Sequence, residues 1–172
     1  MLWSKIIQPY LLDLACSTKP IRIQRGKIIP KARGNVLEIG FGSGLNLTFY
    51  NKDNIKKIFA LEPSLGMQKK SKKNIIKSKI DVEFLTSFAE DIPLDDKSID
   101  TVVCTYTLCS IEKPELALLE IKRVLKIDGI FLIIEHVKAP DVKVIKFQNK
   151  LEPFWKIIAR GCHLTHDTNK IL

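Results

Sequence analysis

Apolar positions fall into short blocks at 35–39, 55–62, 82–86, 99–107 and 130–137, separated by stretches of helical spacing. The blocks predict five strands, and the one at 99–107 is the longest, as expected for a strand buried on both faces. Between them, residues 45–50 start a helix, Ser64 is placed to cap a helix reaching 77, and 115–125 form an amphipathic helix. Asp128-Gly129 closes that last helix, with Gly129 as a natural left-handed cap. Regular alternation of strand and helix predicts an α/β fold, a doubly wound parallel sheet with helices on both faces. Ahead of the sheet, Trp3, Ile6, Ile7, Tyr10, Leu11 and Leu14 recur at helical spacing, Pro9 kinks that stretch, and a second segment at 21–29 precedes Pro30. The tail at 142–161 reads as helix interrupted at Pro153. With no repeat or linker, 1–172 is one domain: a helical lid at 1–33, a core at 34–137 and a C-terminal helix at 138–172.

Composition changes this picture little. A hydrophobic content of 45% and a charged content of 27% are ordinary for a globular domain of 172 residues. Lys and Arg total 28 against 19 acidic residues, a net charge of +9, which raises nucleic acid or an anionic membrane as partners. The densest basic run, at 69–79, has no interleaved aromatics for base stacking and reads as the solvated face of the helix after the second strand. Cys16, Cys104, Cys109 and Cys162 form no C-x-x-C pair and no metal-ligand spacing, which fits a reducing compartment. No apolar run is long enough to span a bilayer and the first residues lack a secretory pattern, so a cytoplasmic location is expected.

Chemistry concentrates where the first strand meets Gly40-Phe41-Gly42-Ser43-Gly44. Glycine lets the backbone turn sharply and approach a ligand closely. The dinucleotide fingerprint would need glycine at 45, where Leu45 stands, and no Gly-Lys-Ser/Thr follows to make a phosphate loop. What remains is E-x-G-x-G-x-G, with Glu38 inside the strand. The second strand closes on Glu62, 22 residues after Gly40, a spacing at which a carboxylate can accept both ribose hydroxyls of an adenosine. In such sheets ligands sit outside the carboxyl ends of the strands, so the loops after Ile39, Leu61, Thr86, Thr105 and Ile134 should surround one crevice.

The blocks VLEIGFGSG, FALEPS, FAEDIPLDDKSIDTVVCTYTLCSI and RVLKIDGIFLIIEHV resemble the ordered motifs of class I S-adenosylmethionine methyltransferases, in the ubiquinone/menaquinone-type and small-molecule branch. VVCTYTLCSI, IIEHV and GCHLT resemble the alkyl-thiol S-methyltransferases, whose animal members sit on endoplasmic reticulum and lipid droplets. The resemblance implies a Rossmann-like sheet, S-adenosylmethionine as cofactor, S-adenosylhomocysteine as product and a small-molecule methyl acceptor such as a thiol. It places Gly40, Gly42 and Gly44 along the methionine portion, Glu38 holding the loop, Glu62 on the ribose, and Pro63 and Ser64 beside the adenine. Where many relatives use an acidic residue for the adenine amino group, this chain has Phe88, so Ala89 N–H, Glu90 or Asp91 would substitute. Thr105 would offer its carbonyl to the cofactor ammonium. His136 is the candidate catalytic base by position, with His163 and His166 able to close over the pocket. Direct transfer depends mainly on proximity and alignment, so Cys104 and Cys109 are not expected to act as nucleophiles.

Family members continue to a seven-strand sheet, whereas here the order would be 3-2-1-4-5 with the last two strands missing. That leaves the strand at 130–137 as an edge open to self-association. Two alternatives remain beside the small-molecule enzyme: a phospholipid or quinone methyltransferase at a membrane surface, with 1–16 as an interfacial stripe, or a non-catalytic remnant that binds cofactor or a partner. CTYTLC after the fourth strand, in place of an Asn/Asp-Pro-Pro-Tyr/Phe run, argues against nucleic acid as substrate.

Overall fold

A computed structural model describes residues 13–14, 16–135 and 150. The predicted alternation is present in it. Helix α1 (Lys19–Ile28) starts with Pro20 in its first turn and gives way to a 3-10 turn at Ile29–Lys31, where Pro30 removes a donor. Strand β1 (Gly34–Ile39) follows, then β2 (Ile55–Leu61), helix α2 (Leu65–Ser78), β3 (Val82–Leu85), β4 (Ile99–Thr105), helix α3 (Pro114–Val124) and β5 (Leu125–Ile134). All pairings are parallel and the order is β3-β2-β1-β4-β5, as expected for the 3-2-1-4-5 sheet.

Alternating side chains divide the core between the two faces of the sheet. Leu37, Ile39, Leu61, Val102 and Cys104 pack with Ala117, Ile121 and Val124 of α3. Val36, Ile58, Ala60 and Val103 pack on the other side with Ile29, Phe41, Leu47 and Tyr50, and with Ile75 of α2. Ser64 does cap α2, accepting from the Met67 N–H at 3.4 Å. The lysines Lys69, Lys72, Lys73 and Lys77 lie exposed along it, the solvated face read from the sequence.

Two expectations need correction. The stretch at 45–50 makes no α-helix but a single 3-10 turn, Leu45–Thr48, because the side chains of Asn46 and Tyr50 turn inward to a buried carboxylate. Gly129 is no left-handed cap. Helix α3 passes into β5 without a loop, Leu125 pairing with Ile99 and Ile130 with Thr101, so the chain bulges between them. Gly129 sits in that bulge, where a Cβ would come within 2.7 Å of the Leu125 side chain; close approach, not handedness, demands glycine there. His136, His163, His166, Cys162 and Pro153, with most of the tail and the stripe at 1–12, lie outside the described residues.

Candidate functional site

The glycine loop is built on backbone conformations that other residues avoid. Gly40, Gly42 and Gly44 have φ of 67°, 59° and 75°, so every second residue is left-handed. The loop is fastened to the end of β2: the Gly40 and Phe41 N–H groups both donate to the Leu61 carbonyl, at 3.0 and 3.3 Å. The Glu62 carboxylate then joins two loops, accepting from Gly42 N–H through Oε2 and from Ser64 N–H through Oε1, each at 2.9 Å. Gln68 ties β2 to β3, donating to the Glu62 carbonyl at 2.7 Å and to Thr86 Oγ1 at 2.9 Å.

These loops border a pocket of about 710 Å³ at the carboxyl ends of the strands. Gly40, Glu62, Pro63, Ser64, Ala89 and Glu90 line it, so six of the residues singled out in the sequence converge on one space. Ile39, Leu61, Ile111 and Leu116 give it apolar walls. The volume and the mixture of apolar wall with a few polar groups are those of a small-molecule site. Gly42 and Gly44 belong to the loop but not to this wall, and Thr105 lies outside it; its neighbour two residues on, Thr107, lines the pocket instead. The Thr105 carbonyl accepts from Thr107 Oγ1 at 3.1 Å.

Beneath the loop lies a polar layer that the sequence reading found only in part. Glu38 is buried, its Oε1 accepting from Asn46 Nδ2 at 2.9 Å and its Oε2 from the Tyr50 hydroxyl at 2.6 Å. Glu38 therefore holds the segment after the glycines. Arg25 reaches in from α1, 5% exposed, donating through Nη1 to Asn46 Oδ1 and, at 2.9 Å, to Thr105 Oγ1. Its guanidinium lies 5.4 Å from the centre of the Tyr106 ring.

Burial pushes the Glu38 carboxyl up to about 7, against the hydrogen bonds of Tyr50 and Asn46 and the charge of Arg25. The folded state then holds a proton that the unfolded chain releases near pH 4.5, so this group's stabilising contribution is full below that pH and is lost as pH rises to 7. Denaturant unfolding at pH 5.5 and pH 8 should show wild type losing about 2 kcal/mol more than Glu38→Gln across that interval. Equal losses in the two proteins would mean that Glu38 is ionised throughout.

A second carboxylate, missed in the sequence, shapes the exit of β4. Glu135 Oε1 accepts from the N–H groups of Thr107 and Leu108, both at 2.7 Å, while Oε2 is buried and has no partner among the described residues. Tyr106 N–H donates to the Ile134 carbonyl at 2.7 Å, and Tyr106 itself is left-handed with φ 56°. The end of β5 thus forces the turn that sets Thr107 against Gly40. Burial raises the Glu135 carboxyl above its ordinary range, opposed by those backbone donors. A signal existed: IFLIIE and IFALE both end an apolar strand in glutamate.

Residues 37–133 match the family model described as a methyltransferase domain. The chain is 37% identical over 139 residues to the thiol S-methyltransferase TMT1B of Rattus norvegicus, an alignment covering 78% of this chain and 56% of that protein. It is 30% identical over 129 residues to the ubiquinone/menaquinone biosynthesis C-methyltransferase UbiE of Campylobacter jejuni, covering 74% of this chain and 45% of that one. The solved structure of a SAM-dependent methyltransferase from Thermotoga maritima superposes with a TM-score of 0.61 at 26% identity, covering 87% of this chain and 66% of that one. The chain therefore spans little more than half the length of the curated TMT1B relative. A glycine loop joined by a carboxylate to the end of β2, in a sheet of this order, agrees with a family match over more than half of the residues: the chain belongs to the methyltransferase-domain family.

Proposed function

We propose that this protein binds S-adenosylmethionine in the pocket between the glycine loop and the turn at 87–91 and methylates a small-molecule thiol. The observation that carries the reading is the Glu62 carboxylate, which fixes the glycine loop and the start of α2 while lining the pocket. A carboxylate accepts through both oxygens, which is the chemistry a pair of ribose hydroxyls requires. A cofactor of this size fits a cavity of about 710 Å³, and the open space at the Gly42 Cβ position leaves room for close approach to the backbone. The thiol class rests on the relatives named thiol S-methyltransferases, which are more similar than the C-methyltransferase of quinone biosynthesis.

When bound, S-adenosylmethionine supplies an electrophilic methyl group that a thiolate takes by direct displacement, leaving S-adenosylhomocysteine. The chain's own task is placement. Glu62 orients the nucleoside, Ile39, Leu61 and Ile111 exclude water, and Thr107 borders the space beside Gly40. Gly40 lines the space for the methionine portion, Gly42 and Gly44 shape the loop that carries it, and Thr105 stands under that loop with Arg25 and Asn46. Because a thiol needs only partial deprotonation, a strong base is not required; His136, which follows Glu135 in sequence, is assigned to that proton. The protein is proposed to work in the cytoplasm, peripheral to a membrane surface. No described helix is long and apolar enough to cross a membrane.

Calorimetric titration with S-adenosylmethionine and S-adenosylhomocysteine tests this, followed by a screen of small thiols. Micromolar binding and thiol-dependent turnover are expected, and a folded protein that binds neither ligand overturns the reading. Glu62→Ala removes charged hydrogen bonds and should weaken S-adenosylhomocysteine by about 1–3 kcal/mol.

A further inference from the structure

Phe88 stands at the outer edge of the pocket with 67% of its surface exposed, and it is the one aromatic residue among the described lining residues. A large apolar ring left open in a concave site gains by being covered. The turn that carries it is closed on itself: Asp91 N–H donates to the Phe88 carbonyl at 3.2 Å, and Ser87 Oγ donates to the Asp91 carbonyl at 2.7 Å. The neighbouring Glu90 carboxylate is turned to the opposite wall, where Oε1 accepts from the Lys113 N–H at 3.2 Å. Pro63 and Leu116 add apolar surface to the lining, and Asp91, which also lines the pocket, is exposed to water. At this end of the cavity ring and aliphatic surface form the wall; of the two carboxylates in the turn, Glu90 is bonded through Oε1 and Asp91 is solvated.

Resting on the proposed function, which puts the ribose on Glu62, the base must extend toward this end of the cavity. We propose that Phe88 is the specificity-determining residue of the base subsite: it takes the purine by its face, and the exocyclic amino group contributes little to binding. Recognition by stacking is tolerant of substituents because every base presents a π-face. Recognition by a carboxylate would be the reverse, since a site built to bond an N–H rejects the analogue lacking it.

The test compares S-adenosylhomocysteine with its 6-deamino analogue, which keeps the purine ring and its N1 acceptor and loses only the amino group. Calorimetry on the whole chain gives both affinities for wild type, Phe88→Ala and Phe88→Trp. The proposal expects wild type to bind the two ligands within about threefold of each other. Phe88→Ala should weaken both alike, by roughly 5- to 100-fold, and Phe88→Trp should restore both. Tenfold or greater loss of the deamino ligand by wild type overturns it, because the amino group would then be read by a polar group. Unchanged affinities in Phe88→Ala overturn it as well. Both failures keep S-adenosylhomocysteine binding in wild type; its absence would instead overturn the proposed function and take this inference with it.

Discussion

Gly40→Ala should cost the fold about 2–5 kcal/mol and abolish S-adenosylhomocysteine binding. Two penalties add at this position. An alanine at φ 67° costs about 1–2 kcal/mol from the left-handed backbone. Its Cβ would also stand 2.9 Å from Thr107 Cβ and closer still to Oγ1 and Cγ2, an overlap worth about 1–3 kcal/mol. Thr107 has little freedom to retreat, because Glu135 holds its N–H. Gly42→Ala is the control. Its Cβ would meet nothing nearer than the Gly40 carbonyl oxygen at 3.7 Å, so only the backbone term remains. That protein should fold with a loss of about 1–2 kcal/mol. Gly42→Val projects further into the space reserved for the ligand and should fold while losing binding. Thermal melting and calorimetry on the three proteins separate the effects, and equal melting of Gly40→Ala and Gly42→Ala would refute the Thr107 clash.

Arg25→Ala should destabilise by about 1–3 kcal/mol, the cost of leaving a buried acceptor without its donor. The substitution leaves Asn46 Oδ1 without its Arg25 donor, leaves Thr105 Oγ1 only the longer bond from Asn46 Nδ2 at 3.1 Å, and removes the cation that offsets Glu38. Urea unfolding measures it. Combining Arg25→Ala with Glu38→Gln should cost less than the two single losses summed, by at least about 1 kcal/mol, because the residues share Asn46. Additive losses would show the two residues to be independent.

Local patterns made much of this legible. Apolar runs gave the strands, Ser64 marked the start of α2, and the glycines with Glu62 marked the pocket before any geometry was known. The failures share a physical cause. Leu45–Thr48 has helical propensity, but Gly44 enters it left-handed and Asn46 is drawn down to Glu38, so tertiary bonds override the local preference. Leu125 leaves its helix because Ile99 offers a strand partner 26 residues back. Arg25 carries no local mark of its burial; its partner Thr105 is 80 residues away. Glu135 likewise gains its meaning from Thr107 and Leu108, which no periodicity connects to it.

The bond from Glu135 to the Thr107 and Leu108 amides also bears on the order in which the protein becomes competent. A nascent chain has released its glycine loop, Glu62 and the turn at 87–91 well before the last described strand leaves the ribosome. Until β5 docks beside β4, the Tyr106 N–H lacks its bond to the Ile134 carbonyl and the Thr107 N–H its bond to Glu135. Ligand affinity therefore arises late, with the last described long-range pairing of the sheet. A bound nucleoside would act on translation products as a check that β5 has docked beside β4.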